Sequence, residues 1–298
     1  VIDNKLRAYI ELHISVVLYG FTAILGDLIS ISALSLVWWR VLITSLSFLL
    51  ILRNIRFIRC FSRAQIRSYL FIGFLIAAHW VGFYSSIKLA NASIALACMG
   101  TISIFTALLE PYIMKHRFQA AEILTGLCVI PGIYLIAQAT DVSMHDGIWV
   151  GLIASALVAW FSTLNKKHIV KGKEIEISCL ELSSATLTCS IVLLVLYVNR
   201  GITNFWPQDN DWIYLLILSL FCTTLAFLLS LRPLNYISTF SSNLIFNLEP
   251  LYGILLAIII LKEHQDLNTS FYIGVGIILS SVFIFPLISK RKSHDTNQ

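Results

Sequence analysis

An acidic residue followed directly by proline, Glu249-Pro250, lies inside a long apolar run. Proline lacks an N–H, so the carbonyl of Phe246, one turn earlier, loses its helical partner. A carboxyl beside an unsatisfied backbone group is suited to holding a proton or part of a substrate. Tyr252, three residues on, shares its helical face. His79 lies mid-run in another apolar stretch, and with a reference pKa of about 6.5 an imidazole could relay protons or simply pack through a hydrogen bond. Arg40, Glu110 and Glu181 lie nearer the ends of theirs, and Asp27 closes the first. Burying such groups in a bilayer costs roughly 2.5–3.5 kcal/mol each, so each requires a reason.

The bland readings stand beside the chemical ones. Glu249 could pair with a neighbouring helix and never meet a substrate. Asn243 and Asn247, four apart, share a face about half a turn from Glu249. Either face could line a cavity, and interhelical hydrogen bonding by asparagine is the alternative. Trp80, Phe83, Tyr84, Trp160 and Tyr19 read as cavity walls, or as packing and lipid contacts. Trp206 and Trp212 read as interface anchors. Arg40 is matched in depth by Asp27, which would make a structural or a gating pair, whereas Glu181 and Glu110 lie towards the opposite ends of their runs.

The elements that position these residues follow from composition. Of 298 residues 58% are hydrophobic and 12% charged, about half the charge of a soluble domain. Mean hydropathy is +0.83, so lipid must be the solvent for most of the chain. Apolar runs of about 20 residues fall at 8–29, 32–52, 69–88, 92–114, 120–138, 147–164, 178–198, 212–231, 238–261 and 269–288. The first reads as a spanning helix and not as a removable signal peptide. With the N-terminus in the cytoplasm, 17 of the 21 lysines and arginines fall inside; Lys88, Arg200 and Lys262 fall outside, and Arg40 lies within a span. That asymmetry obeys the positive-inside rule. The six cysteines show no metal spacing and read as buried apolar side chains, except Cys60 in a basic loop. The net charge of +5 sits in short runs between apolar stretches, which argues against a nucleic-acid partner.

Ten spans divide into two fives, and an odd number inverts the second copy. The internal repeat is faint. Thr125-Gly126-Leu127 and Ile273-Gly274-Val275 are offset by 148 residues. Leu-Glu-Pro occurs at 109–111 and 248–250, offset by 139, and is set aside as a coincidence because it falls nine residues out of register.

The stretch from His79-Trp80-Val81-Gly82-Phe83-Tyr84 to Asn91-Ala92-Ser93 resembles the third-to-fourth-helix passage of EamA-type transporters, of the drug/metabolite transporter superfamily. Asn247-Leu248-Glu249-Pro250-Leu251-Tyr252-Gly253, then Glu263 and Phe271-Tyr272-Ile273-Gly274, resembles their ninth and tenth helices, and Arg40 fits as well. The resemblance implies an all-α membrane protein of ten transmembrane helices in two inverted five-helix repeats, 1–140 and 141–298. It also implies cytoplasmic termini and a central cavity for small metabolites, commonly amino acids or related compounds. The fourth helix departs from the family in carrying Pro111 near its inner end and no proline at mid-depth, which leaves a helix break in the first half open.

These readings lead to a secondary carrier, an exporter or exchanger in a bacterial-type cytoplasmic (inner) membrane, working by alternating access and open to proton coupling. Its partners would be a small metabolite, the bilayer and protons, with no cofactor and no metal, and with the oligomeric state left open. No phosphate-binding G-x-x-x-x-G-K-[ST] sequence is present, which excludes ATP drive by this chain alone. An intramembrane enzyme acting on a lipid-linked substrate is the weaker alternative, because His79 and Glu249 form the only deep ionisable pair and no H-E-x-x-H occurs.

Overall fold

The computed structural model describes residues 4–115, 117–170, 172–200, 204–231, 233, 236, 245–246, 248–265 and 267–281, and among these every regular element is helical. Asn243 and Asn247 lie outside the described residues. Seven helical stretches are long and apolar enough to cross a membrane. They include α1 (Asn4–Leu28), α2 (Ala33–Leu52), α3 (Arg63–Leu89), and α4 (Ala92–Met99) with α5 (Ile102–Met114). Next come α6 (Ala120–Leu127) and α7 (Val129–Ala139). Of these two α7 is a shorter apolar helix. Three more of the seven are α8 (His145–His168), α9 (Glu174–Arg200), and α10 (Asp211–Leu216) running on to α11 (Ala226–Leu231). The shorter α12 (Glu249–Leu256) and α13 (Thr269–Ser281) complete the described helices.

Local sequence sets several helix ends. Ser32 caps α2 by accepting from the Ser35 amide, and Ser62 with Gln65 forms a capping box at α3. Arg53, Lys115 and Lys262 end helical segments in the left-handed conformation, with φ of 53°, 58° and 59°. A cation there suits the negative end of the helix dipole, at a position where glycine is more usual.

The fourth expected span is broken at Gly100-Thr101, between α4 and α5, while Pro111 sits inside α5 without ending it. Breaking a helix in lipid requires other partners for the freed backbone groups. The Cys98 carbonyl accepts from the hydroxyls of Thr101 (2.7 Å) and Ser155 (2.5 Å). The fifth expected span is likewise divided, at Cys128. Residues 217–225 and 257–261 wind as π-helix. Pro250 falls in the first turn of α12, where its missing N–H deprives no carbonyl within the helix. The proline therefore stands at the start of this helix, where the sequence reading has it inside a span and depriving the Phe246 carbonyl of its partner.

Small residues let the helices touch backbone to backbone. A Cβ on Gly20 of α1 would lie 2.9 Å from the Gly253 nitrogen in α12. One on Gly73 of α3 would lie 2.2 Å from the Glu181 carbonyl oxygen in α9. α8 presents Gly147, Gly151 and Ala154 to α3 and α4, and Ser86 donates to the Gly147 carbonyl at 2.7 Å. With lipid outside, such close packing is what holds helices together.

One end of the bundle is tied by helix-end contacts. Lys88 donates to the carbonyls of Asp27 and Ile29 at the end of α1. Asp211 accepts from the Ser30 amide (2.8 Å) and hydroxyl (2.6 Å). Glu263 accepts from the amides of Ala92 and Ser93, both at 2.9 Å, and so caps α4. Burial pushes its carboxyl above the usual range, against the pull of those hydrogen bonds. At the other end Lys166 pairs with Glu110 at 2.6 Å and Lys173 with Glu176 at 2.9 Å.

Gly20→Val is expected to lower the thermal midpoint of the purified protein, because overpacking against backbone costs about 1–3 kcal/mol. Gly276→Val, whose Cβ would meet nothing within 4 Å, serves as the control. Equal midpoints for the two variants would show that the α1–α12 contact is not tight.

Candidate functional site

A cavity of about 810 Å³ lies among the helices. Its wall includes Glu249, His79, Arg40, Glu110 and Glu181 together with Trp80, Phe83 and Tyr19. Eight of the side chains singled out from sequence thus meet in one space. The lining reaches Glu110, Asn165, Ser178 and Glu181, towards the end that carries Lys166. It includes none of Asp27, Lys88, Asp211 or Glu263 at the other end.

Arg40 is 4% exposed and has no carboxylate within ion-pair distance among the described residues. Its Nη1 donates to the Tyr84 hydroxyl at 2.6 Å and its Nε to Thr223 Oγ1 at 3.0 Å. The guanidinium carbon lies 3.9 Å from the centre of the Trp80 ring, a desolvated cation–π contact. The pairing with Asp27 drawn from sequence depth is not formed. Asp27 is exposed at the end of α1, whereas the guanidinium points into the bundle. Thr223 belongs to the π-helical stretch, and its hydroxyl also donates to the Leu218 carbonyl, five residues back, at 2.7 Å. The widened turn offers the threonine to Arg40, as π-helical turns often do at working sites.

Glu249 stands in the first turn of α12, where the positive end of the helix dipole favours a carboxylate. Its carboxyl makes no hydrogen bond among the described residues and lines the cavity. His79 is buried, with Nδ1 3.0 Å from the Ala154 carbonyl oxygen. A carbonyl only accepts, so Nδ1 carries the hydrogen and Nε2 is the nitrogen left for the cavity. Glu181 is 4% exposed; its Oε2 accepts from the Asn165 amide at 3.4 Å, and its Oε1 has no partner among the described residues.

Four sequence candidates lie elsewhere. Tyr84 is fully buried behind Arg40 and supports it from outside the cavity. Tyr252 faces away from the space, its hydroxyl 2.9 Å from His13 Nδ1. It sits in the first turn of a helix that begins at Glu249, close against α1. Trp160 is 39% exposed and packs on Phe71 at the bundle's outer surface. Asp27 is exposed, as described. Trp206 and Trp212, read as anchors, are exposed and ring with Trp39 near the tied end.

Sequence reasoning missed Thr223, Asn165 and Phe161. A hydroxyl in an apolar helix carries no signal until the helix winding and its partner are known. Asn165 stands four residues from Phe161 on α8, so both reach the cavity from one face. Among the described residues no group of three His, Cys, Asp or Glu side chains is placed to hold a metal ion.

The model of the EamA-like transporter family matches residues 6–138 and again 146–286. The Bacillus subtilis protein called uncharacterized transporter YxxF is 22% identical over 284 residues, covering 93% of this chain and 88% of its own. An uncharacterized transporter of Clostridium kluyveri is 23% identical over 219 residues, 70% of this chain and 68% of its own. One crystal structure matches 95% of this chain and 98% of its own with a TM-score of 0.62 at 12% identity, a likeness of fold. With both halves of its length matched and its helices apolar enough to span a bilayer, this chain belongs to the EamA-like transporter family of membrane proteins.

Proposed function

We propose that the protein is a secondary carrier that moves a small metabolite through the central cavity by alternating access of two inverted five-helix repeats, 1–140 and 141–298. The observation that carries this reading is the cavity itself. It gathers the deep ionisable groups Glu249, His79 and Arg40, and its wall draws on both matched regions. About 810 Å³ suits a metabolite-sized ligand. The doubled family match supports the two repeats: its copies begin 140 residues apart and end 148 apart. The Leu-Glu-Pro triplets are 139 residues apart and the Gly126/Gly274 pair 148 apart, close to those two offsets. The glutamates of both triplets line the cavity.

Positive-inside asymmetry supports cytoplasmic termini in a bacterial-type inner membrane, which makes the Lys166 end the inner face. The lining then reaches inward, and the helix-end contacts of Lys88, Asp211 and Glu263 tie the outer side. Glu249 is the group best placed to exchange a proton or hold substrate, and export or exchange driven by a proton gradient is the mode we assign.

In vesicles containing the purified protein, metabolite flux is expected to respond to an imposed pH gradient. Glu249→Gln should abolish that flux with the protein still inserted, and full flux in this variant would remove Glu249 from the mechanism. Arg40→Lys is expected to weaken substrate affinity about tenfold or more, since a single ammonium cannot hold Tyr84 and Thr223 while lying flat on Trp80. An unchanged half-saturation concentration for uptake would show that Arg40 plays no part in forming the site.

A further inference from the structure

The cavity's polar groups are unevenly satisfied, and the imbalance indicates what it takes. Arg40 spends its charge on two hydroxyls and an indole face. Glu110 is neutralised by Lys166 at 2.6 Å. Glu181 has no such partner: it is 4% exposed, it receives one long hydrogen bond from Asn165, and its Oε1 receives none among the described residues. Neighbouring bases are committed elsewhere, Lys166 to Glu110 and Lys173 to Glu176. An unpartnered buried carboxylate oxygen is costly unless a ligand completes it.

We propose that the cavity selects an organic monocation, a primary amine on a flat apolar body, whose ammonium group docks on Glu181. A primary ammonium has three N–H donors. Oε1 of Glu181 accepts one in a charge-assisted bond. Asn165, whose amide donates to Oε2, keeps its carbonyl oxygen for a second, and Ser178, three residues before Glu181 on α9, offers its hydroxyl oxygen for the third. Phe161 and Phe83 both pack on the His79 ring, with centroids 5.6 and 6.2 Å from it, and both line the cavity, where they supply apolar surface for the ligand's body. A buried carboxyl with no cation beside it keeps its proton, so a docked ammonium is what would hold Glu181 ionised, its single positive charge cancelling the one negative charge it induces. An anion would find the guanidinium of the lining already engaged. The proposal rests on the reading of this cavity as the transport site and adds the charge of its cargo.

Three probes of equal shape test it by calorimetry on the protein in lipid nanodiscs: 2-phenylethylamine, 2-phenylethanol and phenylacetate. The amine is expected to bind at least tenfold more tightly than the other two. Glu181→Gln should bring amine affinity down to that of the alcohol while leaving the alcohol's affinity unchanged, which shows that the variant is folded. Glu181→Asp should retain part of the preference. Equal or tighter binding of alcohol or acid, no amine binding at millimolar concentration, or amine binding indifferent to Glu181→Gln would each overturn the proposal. Flux measurements separate it from the reading beneath. Glu249-dependent flux of phenylacetate or of the alcohol without that of the amine would sink the charge assignment alone. Tight, Glu181-dependent amine binding with no flux of any solute would sink the carrier and leave the site.

Discussion

A buried guanidinium without a counter-ion needs its solvation rebuilt from protein groups, and much of this bundle's centre meets that demand. Arg40 has exchanged water for the Tyr84 hydroxyl, the Thr223 hydroxyl and the Trp80 ring. Each of those depends on something further. A Cβ on Gly26 would fall 2.4 Å from the Tyr84 ring, so the missing side chain makes room for the tyrosine. Thr223 is offered by a stretch wound as π-helix. Trp80 forms both the floor under the cation and part of the cavity wall. A chain of contacts from a glycine on α1 to the cavity surface is thus built round one charge, and breaking it leaves a buried cation uncompensated, which is far costlier than losing a surface pair.

The sequence made the class and the ionisable groups of the cavity legible, because lipid imposes simple rules. Apolar length marks spans, loop lysines and arginines mark sides, and a charge that should not be in lipid marks a site. Those rules picked Glu249, His79 and Arg40, and the structure brings them to one space. They failed where the answer depends on direction about a helix axis. Tyr252 shares Glu249's helix yet turns to His13, and Trp160 turns outward to Phe71. Pro250 shows a different limit: one proline can kink a helix or begin one, and only the backbone around Leu248 decides.

Arg40's partner was misread for a related reason. Depth along two apolar runs suggested Asp27, but depth is one coordinate, and the guanidinium turns inward while Asp27 stays at an exposed end. The break in the fourth span had no proline to announce it. It occurs at glycine and threonine, where a hydroxyl from α8 and another from Thr101 itself take up the Cys98 carbonyl. A break stabilised from a helix some fifty residues distant cannot be read from the broken helix.

That break isolates α4, whose eight residues are all buried. Its first turn is held by the carboxylate of Glu263, from the second matched region, while its last residue, Met99, and the following Gly100 stand on the cavity wall. Eight helical residues make a rod about 12 Å long. Held at one end by a carboxylate from the far half of the molecule and bonded at the other to Thr101 and to Ser155 of α8, it joins the Glu263 loop to the cavity wall through buried residues alone.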